Sequence, residues 1–209
     1  MKLRSQWIQG SIAALFLVAT AVPVWAGGFD HQKPTFSFRL VRSPALTSSP
    51  NCAANANGQV QIFQAGPVEI MKVKVGGLPA NTDFDFFVIQ VPNKPFGMSW
   101  YQGDIETDDD GEGRGIFVGR FSIETFMVAP GVADAPETFN NAFPSVSPNP
   151  MTGPIQMYHL GLWFNSPTDA QNAGCPNSVT PFNGEHDAGP QVLNTSNFAD
   201  LQGPLINVK

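Results

Sequence analysis

The chain has 209 residues, of which 42% are hydrophobic and 13% charged, and a formal net charge of −6. A chain of this length can bury a sizeable single core. The acidic balance argues against nucleic acids and anionic membrane surfaces as partners, because their phosphates are bound by Lys and Arg. The expected partner is a protein or a carbohydrate, which the sequence does not identify.

The N-terminus has the three parts of a secretory signal peptide. A basic start at Lys2 and Arg4 is followed by an apolar run over 12–24 and by a small-residue cleavage pattern that ends at Ala26. This run is shorter than the roughly 20 apolar residues that span a bilayer. We therefore predict that residues 1–26 are a cleaved signal peptide and that the protein is secreted or periplasmic, with no membrane span in the mature chain.

The mature chain, residues 27–209, is predicted to be one β-domain. It keeps nine basic residues against 17 acidic ones, a net charge of −8, and it contains two cysteines, Cys52 and Cys175. In an oxidising compartment we expect these two to form a disulfide, which the loop-entropy model values at up to ~4.7 kcal/mol. The alternative, a pair of metal-binding thiolates, lacks a CxxC spacing.

Short alternating apolar runs follow one another along the chain, separated by Gly, Pro, Asn and Asp. The runs with strand character are TFSFRLVR, GQVQIFQ, VEIMKVKV, DFDFFVIQV, RGIFVGRF and MYHLGLWF. In the third run Met71, Val73 and Val75 are predicted to face inward, with Lys72 and Lys74 outward. Six or seven strands with frequent turns favour an antiparallel sandwich or barrel, and we predict an all-β, antiparallel β-sandwich.

The segment VGGLPANTDFDFFV links two of these strands and contains a Leu78-x-x-x-Thr82-x-Phe84 spacing, with Pro79 after the leucine. It resembles the L-x-P-x-T-x-Y corner of immunoglobulin-like and fibronectin type III sandwiches, which bridges their two sheets. Pro79 stands one position early, and Phe84 lacks the hydroxyl that a corner tyrosine donates to the backbone. The resemblance implies a sandwich of this type and no particular function.

The C-terminal part of the chain is irregular in composition. Residues 129–154 hold six prolines and are predicted to be a long Pro-rich loop. Beyond it, the region around Cys175 is rich in Asn, Gly, Pro and Ser. We predict a long irregular elaboration that the disulfide holds down, followed by an edge strand at the end of the chain.

Six carboxylates lie within nine residues of the stretch GDIETDDDGEGRG: Asp104, Glu106, Asp108, Asp109, Asp110 and Glu112. A calcium-loop register from Glu106 through Asp108 and Asp110 lacks its closing glutamate, because Phe117 stands at position 12. Asp-Gly is a strong hairpin signal. We predict a hairpin tip and keep open a weak calcium site at Glu106, Asp108 and Asp110; no other cofactor is expected.

Two histidines are candidates for metal or acid–base chemistry. His186 is flanked by Glu185 and Asp187, which suit a divalent metal, although consecutive side chains of an extended segment point to opposite sides. His159 lies in QMYHLGLWF, where alternation places it opposite the core side, either in solvent or under the C-terminal excursion. Both residues are kept as candidate metal ligands.

A connection bounded by Pro and Gly, NKPFGMSWYQGD, concentrates aromatic side chains. Aromatic residues on such loops make ligand or sugar platforms, or else they cover the end of the sandwich. We single out Phe96, Trp100 and Tyr101 as candidate ligand contacts.

Motifs of nucleophilic, metalloprotease or nucleotide chemistry are missing from the sequence, which has no GxSxG, HExxH or P-loop pattern. We therefore predict a secreted, non-catalytic binding or structural module. One alternative is a calcium- or metal-dependent extracellular enzyme in which His159 and His186 lie within a few ångströms of each other. Another is a surface-assembly subunit with an exposed edge strand. Asn194-Thr195-Ser196 matches a glycosylation sequon.

Overall fold

The computed structural model describes residues 33–97, 99–121, 157–181 and 186–208. The predicted signal peptide at 1–26 and the Pro-rich loop at 129–154 lie outside these residues. In the described ranges no helix combines the length and the apolar character that a membrane crossing requires.

Antiparallel strands make up most of the described chain. They are β1 (Phe36–Arg42), β2 (Asn57–Ala65), β3 (Val68–Gly76), β4 (Asp83–Ile89), β5 (Ser99–Glu106), β6 (Gly113–Gly119), β7 (His159–Phe164) and β8 (Gln191–Asn194). The described helices are the six-residue α1 (Pro167–Asn172) and two 3-10 turns, Pro44–Leu46 and Pro204–Asn207. The prediction of an all-β fold is confirmed.

The eight strands form one nearly closed sheet in the order β5-β4-β7-β8-β1-β2-β3-β6. Strand β1 joins two halves of this sheet, β5-β4-β7-β8 and β2-β3-β6. Its residues 36–40 pair with β2, while Val41 and Arg42 pair with β8. The two end strands of the order, β5 and β6, are connected by a hairpin that continues into a bridge between Thr107 and Gly113.

The core lies between the two halves of the sheet. Met71, Val73 and Val75 of β3 are buried, as the alternation predicted, and they share one cluster with Phe84 and Phe86 of β4. The ring of Phe86 stacks on that of Phe117 from β6 at a centroid distance of 5.1 Å. These contacts join the β4 and β6 sides of the sheet through aromatic packing.

The corner before β4 is tied down by a threonine and not by an aromatic hydroxyl. Phe84 is fully buried in the core and packs on Phe164 at 5.0 Å. The buried hydroxyl of Thr107 donates to the carbonyl of Pro79 at 2.6 Å and accepts from the N–H of Thr82 at 3.0 Å. Thr107, just beyond the end of β5, thus supplies the hydroxyl that Phe84 cannot provide.

The predicted disulfide between Cys52 and Cys175 is confirmed, with a Cα–Cα distance of 4.8 Å and a sequence separation of 123 between the two half-cystines. The guanidinium of Arg42 holds the loop that carries Cys52, since it donates to the carbonyls of Leu46, Ser49 and Cys52. The bridge therefore fastens an ordered loop after β1 to the end of α1.

The prediction of a terminal edge strand is wrong. Strand β8 lies inside the sheet, between β7 and β1, and the described chain ends in the 3-10 turn Pro204–Asn207. All four β8 residues are buried. A strand covered on both faces lacks the polar–apolar alternation by which a half-exposed strand is recognised.

Candidate functional site

The face of β4 that points away from the core carries acidic and aromatic side chains. Phe84, Phe86 and Val88 pack into the core, so the alternating positions, which include Asp85 and Phe87, lie on the outer face. Asp85 is only 1% exposed. A carboxylate is therefore buried on a face that alternation alone assigns to solvent.

Strand register extends this face across four strands. Asp85 pairs with Asp104 of β5 on one side and with Trp163 of β7 on the other, and Trp163 pairs with Gln191 of β8. Residues directly opposite each other on antiparallel strands share a face, with Cβ atoms roughly 4.5–5.5 Å apart. We call Asp104, Asp85, Trp163 and Gln191 the polar row.

Among the described residues, three buried atoms of the polar row have no hydrogen-bond partner: Oδ2 of Asp85, Nε1 of Trp163 and Nε2 of Gln191. The described part of the chain contains no other buried side-chain nitrogen or oxygen atom without a partner. Each such atom costs about 1–3 kcal/mol when it stays unsatisfied. Because buried polar groups normally have partners, three such atoms on adjacent strands of one face make this face the candidate functional site.

The orientation of the Gln191 amide is fixed by its neighbours. Its Oε1 accepts from the hydroxyl of Ser43 at 2.9 Å and from Nδ2 of Asn194 at 2.7 Å. Asn194 presents Nδ2 because its own Oδ1 accepts from the N–H of Ser196. The Nε2 group of Gln191 is consequently held on the side away from these partners.

The pKa of Asp85 is raised to about 7: burial is the largest cause, His186 opposes the rise, and the neighbouring carboxylates Asp104 and Asp83 contribute to it. Nε2 of His186 lies 4.0 Å from Oδ2 of Asp85 and donates to Oδ1 of Asn165 at 2.8 Å. The site therefore holds a carboxyl group that exchanges its proton near neutral pH, beside a half-exposed histidine.

Aromatic rings adjoin the polar row on the same face. Trp163 packs edge-on against Phe87 at 5.3 Å and against Phe96 at 5.1 Å, and Phe87 contacts Tyr101 at 5.5 Å. We call Phe96, Trp163, Phe87 and Tyr101 the aromatic row. The indole lies against Gly161, where an added Cβ would come within 2.3 Å of the ring and 2.7 Å of Nε2 of Gln191.

The three residues that we predicted as ligand contacts are placed differently from one another. Phe96 is partly buried against Trp163. Tyr101 is 42% exposed and donates its hydroxyl to Asp104, so it joins the rim of the polar row. Trp100 is 52% exposed on the opposite side of β5, level with Val88 of the core side.

The acidic stretch forms the predicted hairpin between β5 and β6. Oδ1 of Asp108 accepts from the N–H groups of Asp110 and Glu112, so this carboxylate closes the turn. Asp109 accepts from Asn81, and Glu112 pairs with Lys74 at 3.1 Å. These carboxylates thus have structural partners.

Glu106 and Asp110 complete the carboxylates of the predicted calcium site. Glu106 lies in β5 opposite Asp83, and Asp110 is exposed at the turn. Among the described residues no group of three or more His, Cys, Asp or Glu side chains is placed to hold a metal ion. The calcium site stays a prediction.

His159 is a buried, hydrogen-bonded residue under the C-terminal segment. Its Nδ1 lies 2.8 Å from the hydroxyl of Thr195, and its Nε2 donates to the carbonyl of Ala199 at 3.2 Å. Burial lowers its pKa, although Asp200 and the two hydrogen bonds act in the other direction. His159 begins β7, whereas His186 contacts Asn165 just beyond its end, so roughly 20 Å of strand separates the two histidines.

The remaining sequence candidates are placed as follows. Asp187 is exposed beside His186, and Glu185 lies outside the described residues. Asn194 of the sequon is fully buried, and its amide nitrogen donates to Pro92 and Gln191. A glycan cannot be carried on this nitrogen in the folded protein.

The assembly alternative predicts an exposed edge strand. Strand β6 is an end strand of the order, and its Ile116 and Val118 are 67% and 66% exposed. Exposed apolar residues on an end strand favour pairing with another chain. The role of this protein as a surface-assembly subunit stays a prediction.

Sequence reasoning missed Asp85, Trp163 and Gln191 as a group. The signal that was available is the pair of acidic residues at alternate positions of the otherwise apolar strand DFDFFVI.

Comparison with known proteins adds no further constraint, since no protein-family model matches the chain and no curated protein is significantly similar to it.

Proposed function

We propose that the protein is an exported, non-catalytic binding module whose ligand site is the outer face of the β5-β4-β7-β8 half of the sheet. The observation that carries the proposal is the set of three buried, unpartnered polar atoms on Asp85, Trp163 and Gln191. A ligand that pairs with them removes a desolvation cost that the free protein bears.

The architecture that we propose for this module is a β-sandwich with the immunoglobulin-like corner described above. Its support is that the two halves of the sheet share β1 and that aromatic side chains, such as Phe86 and Phe117, pack between them. Export is supported by the disulfide, because such bridges persist in oxidising compartments.

Thermal unfolding of the full chain tests the binding function. The compounds are neutral sugars, amino acids, carboxylates, amines, Ca²⁺ and Zn²⁺. A compound that binds only the native form raises the melting temperature. At 100 times its Kd, such a compound adds about 2.7 kcal/mol to the free energy of unfolding.

Two variants localise such an effect. Gly161→Ala displaces the indole and the Gln191 amide, whereas Trp100→Phe alters an exposed ring on the other side of β5. We expect the ligand-dependent rise to be lost in the first variant and kept in the second. The proposal is contradicted if no compound raises the melting temperature of the wild type. It is also contradicted if a compound raises the melting temperature of both variants equally.

A second candidate function, glycoside hydrolysis, is favoured by the pairing of Asp85 with Asp104 across β4 and β5. One carboxyl group is buried with a raised pKa and the other is exposed. Glycosidases use two carboxyl groups in different environments, a protonated acid and an ionised base or nucleophile. In this arrangement Asp85 is the general acid and Asp104 is the base or nucleophile.

Nitrophenyl glycosides of common sugars test this candidate. If Asp85 is the general acid, Asp85→Asn lowers kcat by about 10²–10⁴-fold without loss of the fold. Binding of sugars without any hydrolysis leaves the non-catalytic module.

A further inference from the structure

We propose that the polar row recognises a neutral, hydroxyl-bearing ligand, a carbohydrate, in preference to an anion or a cation. This inference rests on the binding function proposed above and specifies its ligand class. It follows from three properties of the site: the donors and acceptors that are left open, the charges around them, and the aromatic rings beside them.

The open atoms require a ligand that both accepts and donates hydrogen bonds. Nε1 of Trp163 and Nε2 of Gln191 are donors only, so each needs an acceptor on the ligand. Oδ2 of Asp85 accepts when the carboxyl group is ionised and can donate when it is protonated. A hydroxyl group offers a donor and an acceptor on one atom, and neighbouring hydroxyls of a sugar ring repeat this pattern.

The charges around the row disfavour an anion. Asp83, Asp104 and Asp169 all act electrostatically on Asp85, and His186 is the group that acts in the opposite direction. A ligand carboxylate or phosphate would be placed among these acidic side chains, and like charges brought together cost several kcal/mol.

A cation is disfavoured by the other two members of the row. The N–H groups of Trp163 and Gln191 present positive ends to the ligand and have no acceptor to offer it. The carboxylate of Asp85 is itself buried, with a pKa raised by burial first, so the site favours a neutral carboxyl group over an ion pair.

Tyr101, the exposed member of the aromatic row, provides the apolar contact that a sugar ring needs. Tyr101 is 42% exposed, touches Phe87 and donates to Asp104, so one residue connects the aromatic row with the polar row at the rim. An aromatic ring with a polar edge packs against the C–H face of a sugar while its neighbours bond the hydroxyls. Tyr101, Asp104 and His186 are the exposed residues next to these buried atoms in the polar row and around it.

Three sugars with the same ring and different charge test the ligand class: D-glucose, D-glucuronate and D-glucosamine, together with a panel of other neutral hexoses, pentoses and disaccharides. Calorimetric titration of the full chain at about pH 6, where the amine is charged, gives their Kd values. We expect a neutral sugar to bind at least about tenfold more tightly than its charged counterparts.

The outcomes separate the two proposals. If glucuronate or glucosamine binds more tightly than every neutral sugar, the ligand class is wrong while the binding function stands. The ligand class is also wrong if no sugar binds but a compound of another class raises the melting temperature of the wild type and not that of Gly161→Ala. If no compound of any class binds, both proposals are overturned.

Discussion

Oδ2 of Asp85 lies 4.0 Å from Nε2 of His186, too far for a hydrogen bond, and His186 instead donates to Asn165. The buried carboxyl group thus has a histidine near it, but none of the described residues is a direct partner for this oxygen. Its raised pKa and the unpartnered atoms of Trp163 and Gln191 describe one polar site that the free protein maintains at a cost in stability.

Asp85→Asn should stabilise the protein at alkaline pH. The pKa of Asp85 is raised from 3.8 to about 7, so the stability that its protonated form provides is complete below 3.8 and is lost as pH rises through about 7. The asparagine stays neutral throughout. We expect the variant to match the wild type at about pH 4 and to exceed it at about pH 8 by up to ~4 kcal/mol in free energy of unfolding.

Chemical denaturation at both pH values measures this difference. Asp110→Asn removes an exposed carboxylate at the hairpin tip and serves as the matched control, with an expected change within about 0.5 kcal/mol. A variant at position 85 that is less stable than the wild type at about pH 8 would show that the carboxylate has a cationic partner.

His159 should remain a neutral ring with its proton on Nε2. Burial lowers its pKa below the ordinary 6.5, so the stability that the neutral ring provides is present above 6.5 and is lost as pH falls through the lower folded-state value. Nitrogen-15 spectra of the histidine rings report the tautomer and its titration directly. A positively charged His159 at neutral pH would refute the assignment.

Thr107→Val should loosen the corner before β4. The substitution leaves the carbonyl of Pro79 and the N–H of Thr82 without the buried hydroxyl that both contact. We expect a loss of about 1–3 kcal/mol in free energy of unfolding. Thr82→Val is the control, since its hydroxyl donates to the nearby carbonyl of Ala80 in an exposed position. Equal losses in the two variants would remove the special role of Thr107.

Gly111→Ala should disrupt the packing of the hairpin on the corner. Gly111 has φ +72°, and a Cβ there would lie 2.1 Å from the carbonyl oxygen of Leu78. Gly66 has a similar φ of +66° but open space around it, so Gly66→Ala measures the backbone strain alone, about 1 kcal/mol. We expect a larger loss of unfolding free energy for Gly111→Ala, and similar losses would contradict the close contact.

The strands and the disulfide were accessible from the sequence because their signals are local or compositional. Alternation placed Met71, Val73 and Val75 inward, and two cysteines in a chain that is predicted to be exported allow a single internal bridge. Alternation also placed His159 on the side of β7 opposite the core, and the structure shows that the C-terminal segment covers it.

The polar row could not be predicted in the same way. Its members come from four strands that lie up to about a hundred residues apart in the chain, and strand order is a property of the fold. Alternation assigns Asp85 to the solvent-facing side of β4, and its burial depends on contacts that only the fold brings about. The short β8 was misplaced at an edge for the related reason that its residues are buried on both faces.

The indole N–H signal of Trp163 is the most direct measure of the proposed site. Proton–nitrogen spectra of the full chain, with indole signals assigned through Trp→Phe substitutions, follow Trp163 and the exposed Trp100 during titration with neutral sugars. The account predicts that a bound sugar shifts the Trp163 signal, because its open Nε1 gains an acceptor, and leaves the Trp100 signal in place. A ligand that shifts Trp100 while Trp163 stays unchanged would contradict a binding site at the polar row.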